Sequence, residues 1–172
     1  MTAWMVRAGL KGHLFDRFID DGIATVGWTE VGEVSTDETV ETLREKFSKI
    51  WPSWHPNKII MGAGQLYRFA RVIQPGDMIV TYDPSRRIYK IGTAHGSYRL
   101  DVNFDSSDGG QIMDVGWHGD VPRDALRSRT KNSLGAISTL FKIPDHAQAD
   151  LERVLAGYPD DAVLSEPASE DE

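Results

Sequence analysis

Cysteine is absent from this 172-residue chain, and that absence removes several classes of protein at once. Without thiols there is no disulfide scaffold, no cysteine nucleophile, no redox pair and no thiolate zinc site. Long apolar runs are missing too. No stretch approaches the ~18 residues a membrane span needs, and the opening MTAWMVRAGL lacks the architecture of a signal peptide. Both absences predict a soluble, cytoplasmic chain. The five histidines, His13, His55, His95, His118 and His146, stand singly, without the i,i+4 pairing of a helical metal site. No serine sits in a nucleophile elbow, and no lysine follows a suitable glycine-rich stretch. Asp101 and Asp114 lack the second acid and lysine that a magnesium-dependent nuclease groups on adjacent strands. Neither enzyme activity nor a cofactor is expected.

What is present is a globular composition, 40% hydrophobic and 26% charged, at a size that buries one core. The net charge of −7 is unevenly placed. From Asp160 onward six acidic residues (Asp160, Asp161, Glu166, Glu170, Asp171, Glu172) meet no basic one, and the rest of the chain holds 20 acidic residues against 19 basic. The pattern predicts a near-neutral domain over 1–157 and an acidic, disordered tail over 158–172.

Along the chain, Trp4 to Ala8 and Ile23 to Trp28 read as buried strands, with a helix over His13–Asp20 between them that stops at Gly22. Ser35 and Glu38 have capping-box spacing ahead of Val40, Leu43, Phe47 and Ile50, an amphipathic helix. WPSWHPN breaks the chain, and the second half of Lys58–Ile73 is helical by spacing. Strand periodicity follows over 78–82, 88–94, 97–104 and 112–117, then helical stretches over Ser133–Phe141 and Asp145–Leu155. The fold class expected is α+β: a small curved antiparallel sheet, or a barrel, with flanking helices.

The richest chemical signal is aromatic and basic. Trp28, Tyr82 and Tyr98 fall at strand ends, where ring faces can hold a flat ligand. Basic residues cluster at Arg68 and Arg71, at Arg86, Arg87 and Lys90, and from Arg123 to Lys142, a pattern shared by polyanion-binding faces and by ordinary solvated surfaces.

Five blocks in order, WMVRAG (4–9), IATVGW (23–28), GQLYRF (64–69), GDMIVTYDPSRRIYKIGTAHGSYRL (76–100) and NSLGAISTLFKI (132–143), resemble a modified-base-reading domain. That domain is found at the N-terminus of Mrr-like and HNH-type prokaryotic restriction enzymes and in free-standing 5-methylcytosine-binding proteins. It belongs to the PUA-like superfamily, with EVE, YTH and SRA-like members. The resemblance covers about residues 3–156, and no nuclease domain is expected after Leu155. It implies a PUA-like barrel and a non-catalytic protein that binds methylated double-stranded DNA largely independent of sequence context. The 5-methylcytosine would be flipped into an aromatic pocket, and a separate nuclease is a possible partner. A methyl group is worth only about 1 kcal/mol when buried, so a flipped base, stacked and hydrogen-bonded on its Watson–Crick edge, is read far better than one left in the groove.

Carried onto this chain, the resemblance places Trp28 as one wall of the pocket, Tyr98 as the opposite wall, and Tyr82 and Asp83 beside its mouth, the carboxylate suited to a cytosine amine. Gln65, Arg68, Asn132 and Ser133 become contacts to base edge or backbone, and Arg87, Arg127, Arg129 and Lys131 phosphate contacts. Trp4 and Trp117 are assigned to packing, and one of Trp51 and Trp54 is a candidate wedge. The alternative reader is one of modified RNA in the same pocket. Single-stranded RNA needs no wedge, so the groove discriminates between the two.

Overall fold

Strand β1 (Ala3–Val6) is buried at every position, and its side chains alternate between two cores. Trp4 and Val6 enter one, Ala3 and Met5 the other. A sheet packed on both faces follows. The computed structural model describes residues 1–157; the tail expected over 158–172 lies outside the described residues.

Helix α1 (Phe15–Asp21) buries Phe15 and Phe18 and ends at Gly22, whose left-handed φ of 65° forms the cap read from the sequence. It leads into β2 (Ile23–Val26), shorter than the stretch to Trp28 that the sequence suggested. Helix α2 (Val40–Ile50) buries Leu43 and Phe47. Its capping box is formed by Thr39 and Thr42, not by Ser35 and Glu38. Glu38 instead accepts from the Thr42 hydroxyl and pairs with Lys46. Helix α3 (Pro56–Tyr67) starts at a proline in the first helical position, with the His55 ring accepting from the Asn57 N–H at 3.1 Å. Helix therefore fills all of this segment, not only its second half, and runs on into a π-turn over Arg68–Val72.

Strands β3 (Met78–Asp83), β4 (Ile88–Leu100) and β5 (Gln111–Pro122) are consecutive antiparallel partners. The two strands expected over 88–94 and 97–104 are one long strand, interrupted by register irregularities between Ile91 and Gly92 and between Ala94 and Tyr98. Helix α4 (Ser128–Leu134) and strand β6 (Leu140–Lys142) replace the single helix expected over Ser133–Phe141, and α5 (Asp145–Leu155) matches its expected bounds. The Ser-Leu-Gly-Ala-Ile run is too poor in apolar spacing to continue a helix, and Phe141 pairs with Met5 instead.

The hydrogen-bonded order is β2-β5-β4-β3-β1-β6, an open mixed sheet in which β1 and β3 run parallel and every other neighbouring pair runs antiparallel. It is strongly curled. In a flat sheet β1 and β2 would lie about 19 Å apart, yet they touch and share a core with α1, α2 and α3. The outer face packs α4 and α5 through Leu126, Leu134, Ala147 and Leu151. Asp77, buried ahead of β3, accepts from the Thr2 N–H, the Trp4 indole and the Gln74 N–H at 3.1, 3.1 and 2.9 Å, tying the two parallel strands at their start. Among the described residues no helix is long and apolar enough to cross a membrane.

Candidate functional site

Where β2 ends, the chain must turn sharply. A side chain at Gly27 would stand 2.5 Å from the Ser107 carbonyl oxygen, so only glycine fits there. The next residue, Trp28, is held in the left-handed region at φ 62°, ψ 33°, a conformation costing a non-glycine residue about 1–2 kcal/mol. Among the described residues, Lys11 and Arg87 are the other two non-glycine residues at positive φ. Trp28 and Lys11 line one cleft, and Arg87 lies on the turn whose Pro84 and Ser85 line it as well. Backbone strain of this kind persists where the surroundings over-determine it, and it clusters at ligand sites.

The cleft measures about 1060 Å³, room for a nucleotide-sized ligand. Its aromatic wall is built on the buried ring of Phe47, with Trp28, Trp51 and Trp54 at centroid distances of 6.2, 5.1 and 6.4 Å. Trp51 and Trp54 stack on each other at 4.4 Å with their planes 11° apart, and the Lys58 ammonium lies 4.0 Å above Trp54. Tyr82 lines the cleft too, backed by Tyr89 at 4.4 Å.

Arg7 supplies a half-buried cation at this cleft, beside Lys11. Its guanidinium donates to the carbonyls of Leu134 (3.4 Å) and Ala136, while Nε is buried without a partner. Burial lowers its pKa, and no carboxylate among the described residues pairs with it. The same residue anchors a strap over 135–139. The Arg7 N–H donates to the Thr139 carbonyl at 2.8 Å, and beyond it the Leu140 N–H donates to Gln65 Oε1 at 2.9 Å. The strap carries Ile137, 95% exposed, and the glycine-flanked Leu10 is 73% exposed; both border the cleft.

Asp108, also on the wall, pins the Leu10–His13 loop. It accepts from His13 Nε2 at 2.7 Å and from the Leu10 N–H at 3.1 Å. The His13 hydrogen bond, outweighing burial, holds this carboxyl below its usual range. The sign follows from linkage. The pinning is fully present above the ordinary aspartate range near pH ~4 and is lost as pH falls through the depressed folded value. An NMR titration of the Leu10 amide should therefore show an acid transition below pH ~4, and Asp108→Asn should abolish it.

The residues picked out by sequence divide between this cleft and the scaffold. Trp28 and Tyr82 meet in the cleft. Asp83 and Tyr98 do not line it. The Asp83 carboxylate turns inward, accepting from the Ser85 N–H and hydroxyl at 3.0 and 2.7 Å and facing Arg86 at 3.0 Å. Tyr98 donates to Gln111 Oε1 and accepts from the Val34 N–H at 2.9 Å. Gln111, wholly buried, passes the network on by donating to the Trp28 and Gly32 carbonyls at 3.3 and 3.0 Å. Tyr98 thus supports the strained turn beneath Trp28 rather than facing it.

Gln65 is spent on Met61 and Leu140. Arg87 faces Asp124 at 2.6 Å, Arg127 is tied to Asp150, and Ser133 bonds His146 at 3.0 Å. Arg129 and Asn132 are exposed and Lys131 is half-buried on α4, away from the cleft wall, and Arg68 lines a second groove. The sequence reading passed over Arg7, Lys11 and Ile137. A leucine and a lysine between Gly9 and Gly12, and an isoleucine among small residues in NSLGAIS, were the available signals.

The match to a family model supports treating the cleft and the sheet as one unit. It spans residues 4–143, from β1 through β6, and takes in every cleft-lining residue from Arg7 to Thr139. A comparison with curated proteins returned no match. With most of its length covered, the chain belongs to the family described as a domain of unknown function, DUF8426.

Proposed function

We propose that this protein is a non-catalytic reader of modified bases in duplex DNA, taking a flipped 5-methylcytosine into the aromatic cleft. One observation carries the reading: Trp28, strained and half-exposed, shares a cleft with Tyr82, Trp51 and Trp54 and with an arginine that has no acidic partner among the described residues. Stacking on such rings is worth ~1–3 kcal/mol per base, and Arg7 and Lys11 suit the phosphates on either side. Glu30, two residues past Trp28 and on the same wall, is the carboxylate that fits a cytosine amine; Asp83 is occupied elsewhere. The resemblance of the sequence blocks to PUA-like readers points the same way.

Duplex DNA is favoured over single-stranded RNA by the strap. Extruding a base costs a few kcal/mol, which inserted apolar side chains help to offset. Ile137 has that character: β-branched, stiff, solvent-facing, on a segment anchored at both ends. Ile137→Ser should weaken binding to a fully paired methylated duplex by roughly tenfold, with recovery when the methylated base faces an abasic site and extrusion is already cheap. Equal loss on both duplexes would remove Ile137 from this role.

The direct test is a gel-shift series on one duplex carrying cytosine, 5-methylcytosine, 5-hydroxymethylcytosine or N6-methyladenine, with the matching RNAs alongside. The expected result is clear preference for methylated cytosine in DNA and little change when its flanking sequence is varied. Preference for a modified RNA would shift the assignment to that polymer, and indifference to every modification would overturn it.

A further inference from the structure

Beyond the strap lies a second groove of about 340 Å³. Ser138 faces it, whereas Ile137 and Thr139 border the aromatic cleft, so one five-residue strap separates the two. Arg44 of α2, Ile60 and Met61 of α3, and Arg68 form much of its remaining wall.

The two arginines differ from several basic residues on this protein. Arg17, Arg86, Arg87, Lys90 and Arg99 each face an aspartate. Among the described residues, neither Arg44 nor Arg68 has a carboxylate within ion-pair distance. Arg68 is moreover half-buried, and loss of hydration alone pulls its guanidinium below its ordinary value. Burying a cation without a counter-charge is costly, and a long side chain at a helix end has solvated alternatives.

Local backbone geometry holds it there. Arg68 opens the π-turn, its carbonyl accepting from the Ile73 N–H at 3.0 Å; such widened turns recur at functional sites. A side chain at residue 64 would begin 3.3 Å from Arg68 Nη1, so Gly64 leaves the guanidinium room to lie along α3.

We propose that Arg44 and Arg68 together hold a phosphate group in this groove, with Ile60 and Met61 limiting its contact with water. A guanidinium fork matches phosphate oxygens with paired N–H donors, and the interaction strengthens where water is partly excluded. Its source is a backbone phosphate of the strand whose base enters the cleft. That source rests on the base-reading proposal, whereas the phosphate chemistry does not.

Two measurements separate them. The first is the salt dependence of binding to plain and methylated duplexes for wild type, Arg44→Gln, Arg68→Gln and Arg68→Lys. Each glutamine variant should flatten the log–log slope by about one unit on both duplexes, with the preference for methylated DNA unchanged. Arg68→Lys should keep most of the slope. The second follows the Arg68 Nε–H NMR signal as millimolar inorganic phosphate is added. Movement of that signal with no DNA binding by wild type would keep the phosphate site, with free phosphate as its source, and sink the base-reading proposal. An unchanged slope in both glutamine variants together with a still Arg68 signal would overturn the phosphate site, even if methylated DNA is read. Thermal melting of Arg68→Gln should match wild type, since no side-chain partner among the described residues is lost.

Discussion

Trp28→Gly should leave the protein folded while lowering its affinity for a methylated duplex by roughly tenfold or more. Two opposing terms set the stability. Glycine adopts φ 62° freely and recovers the ~1–2 kcal/mol of strain carried by tryptophan. Against this stand the contact with Phe47, 6.2 Å between ring centres, and the half-buried surface of the indole. Because these terms nearly offset, melting should move little while specific binding falls. Non-specific binding through phosphates should survive. Trp4→Ala is the matching control: Trp4 is buried and its indole donates to Asp77, so truncation should cost about 3–5 kcal/mol of stability. A Trp28→Gly protein that melts as low as Trp4→Ala, with specific and non-specific binding lost together, would return Trp28 to the core.

Asp150→Ala should produce a loss of stability as large as that of Trp4→Ala. This carboxylate is 1% exposed on α5. It accepts from the Arg127 N–H at 2.9 Å and from Arg153 Nε at 2.8 Å, with Arg153 Nη2 at 2.7 Å. Removing the acid takes the buried carboxylate away from these donors, and breaking a buried pair from one side costs about 3–5 kcal/mol, or a melting temperature lower by on the order of 10 °C for a chain of this size. Asp150→Asn keeps an acceptor for the Arg127 N–H and should lose less. Calorimetry checks both, and an alanine variant melting within a degree of wild type would show that this carboxylate contributes little to stability. The substitution lies outside the matched span of 4–143, so base preference should persist wherever the variant is folded.

What the sequence made legible, and what it did not, follows physical lines. Local signals carried well. Gly22 stopped α1, apolar spacing placed Leu43 and Phe47 inward, and α5 kept its expected ends. Register and long-range pairing were harder. Nothing local in MVRAG marks β1 as the parallel neighbour of β3, and nothing in LFK marks a strand, because both owe their pairing to partners far along the chain. The site divides in the same way. Trp28 and Tyr82 were legible as aromatics at strand ends, and they do meet. Tyr98 has the same signature but a phenolic oxygen committed to Gln111 and Val34, which only the fold reveals. Charge clusters were the least informative, since Arg87 and Arg127 owe their partners to aspartates 37 and 23 positions away.

The most direct test of a base drawn from the duplex into the cleft is the fluorescence of 2-aminopurine placed beside the methylated cytosine. On binding wild type it should rise as the neighbouring stack opens. It should stay low when the same duplex is unmethylated, and rise much less with Trp28→Gly. Equal signals and equal affinities for methylated and plain duplexes would contradict the account.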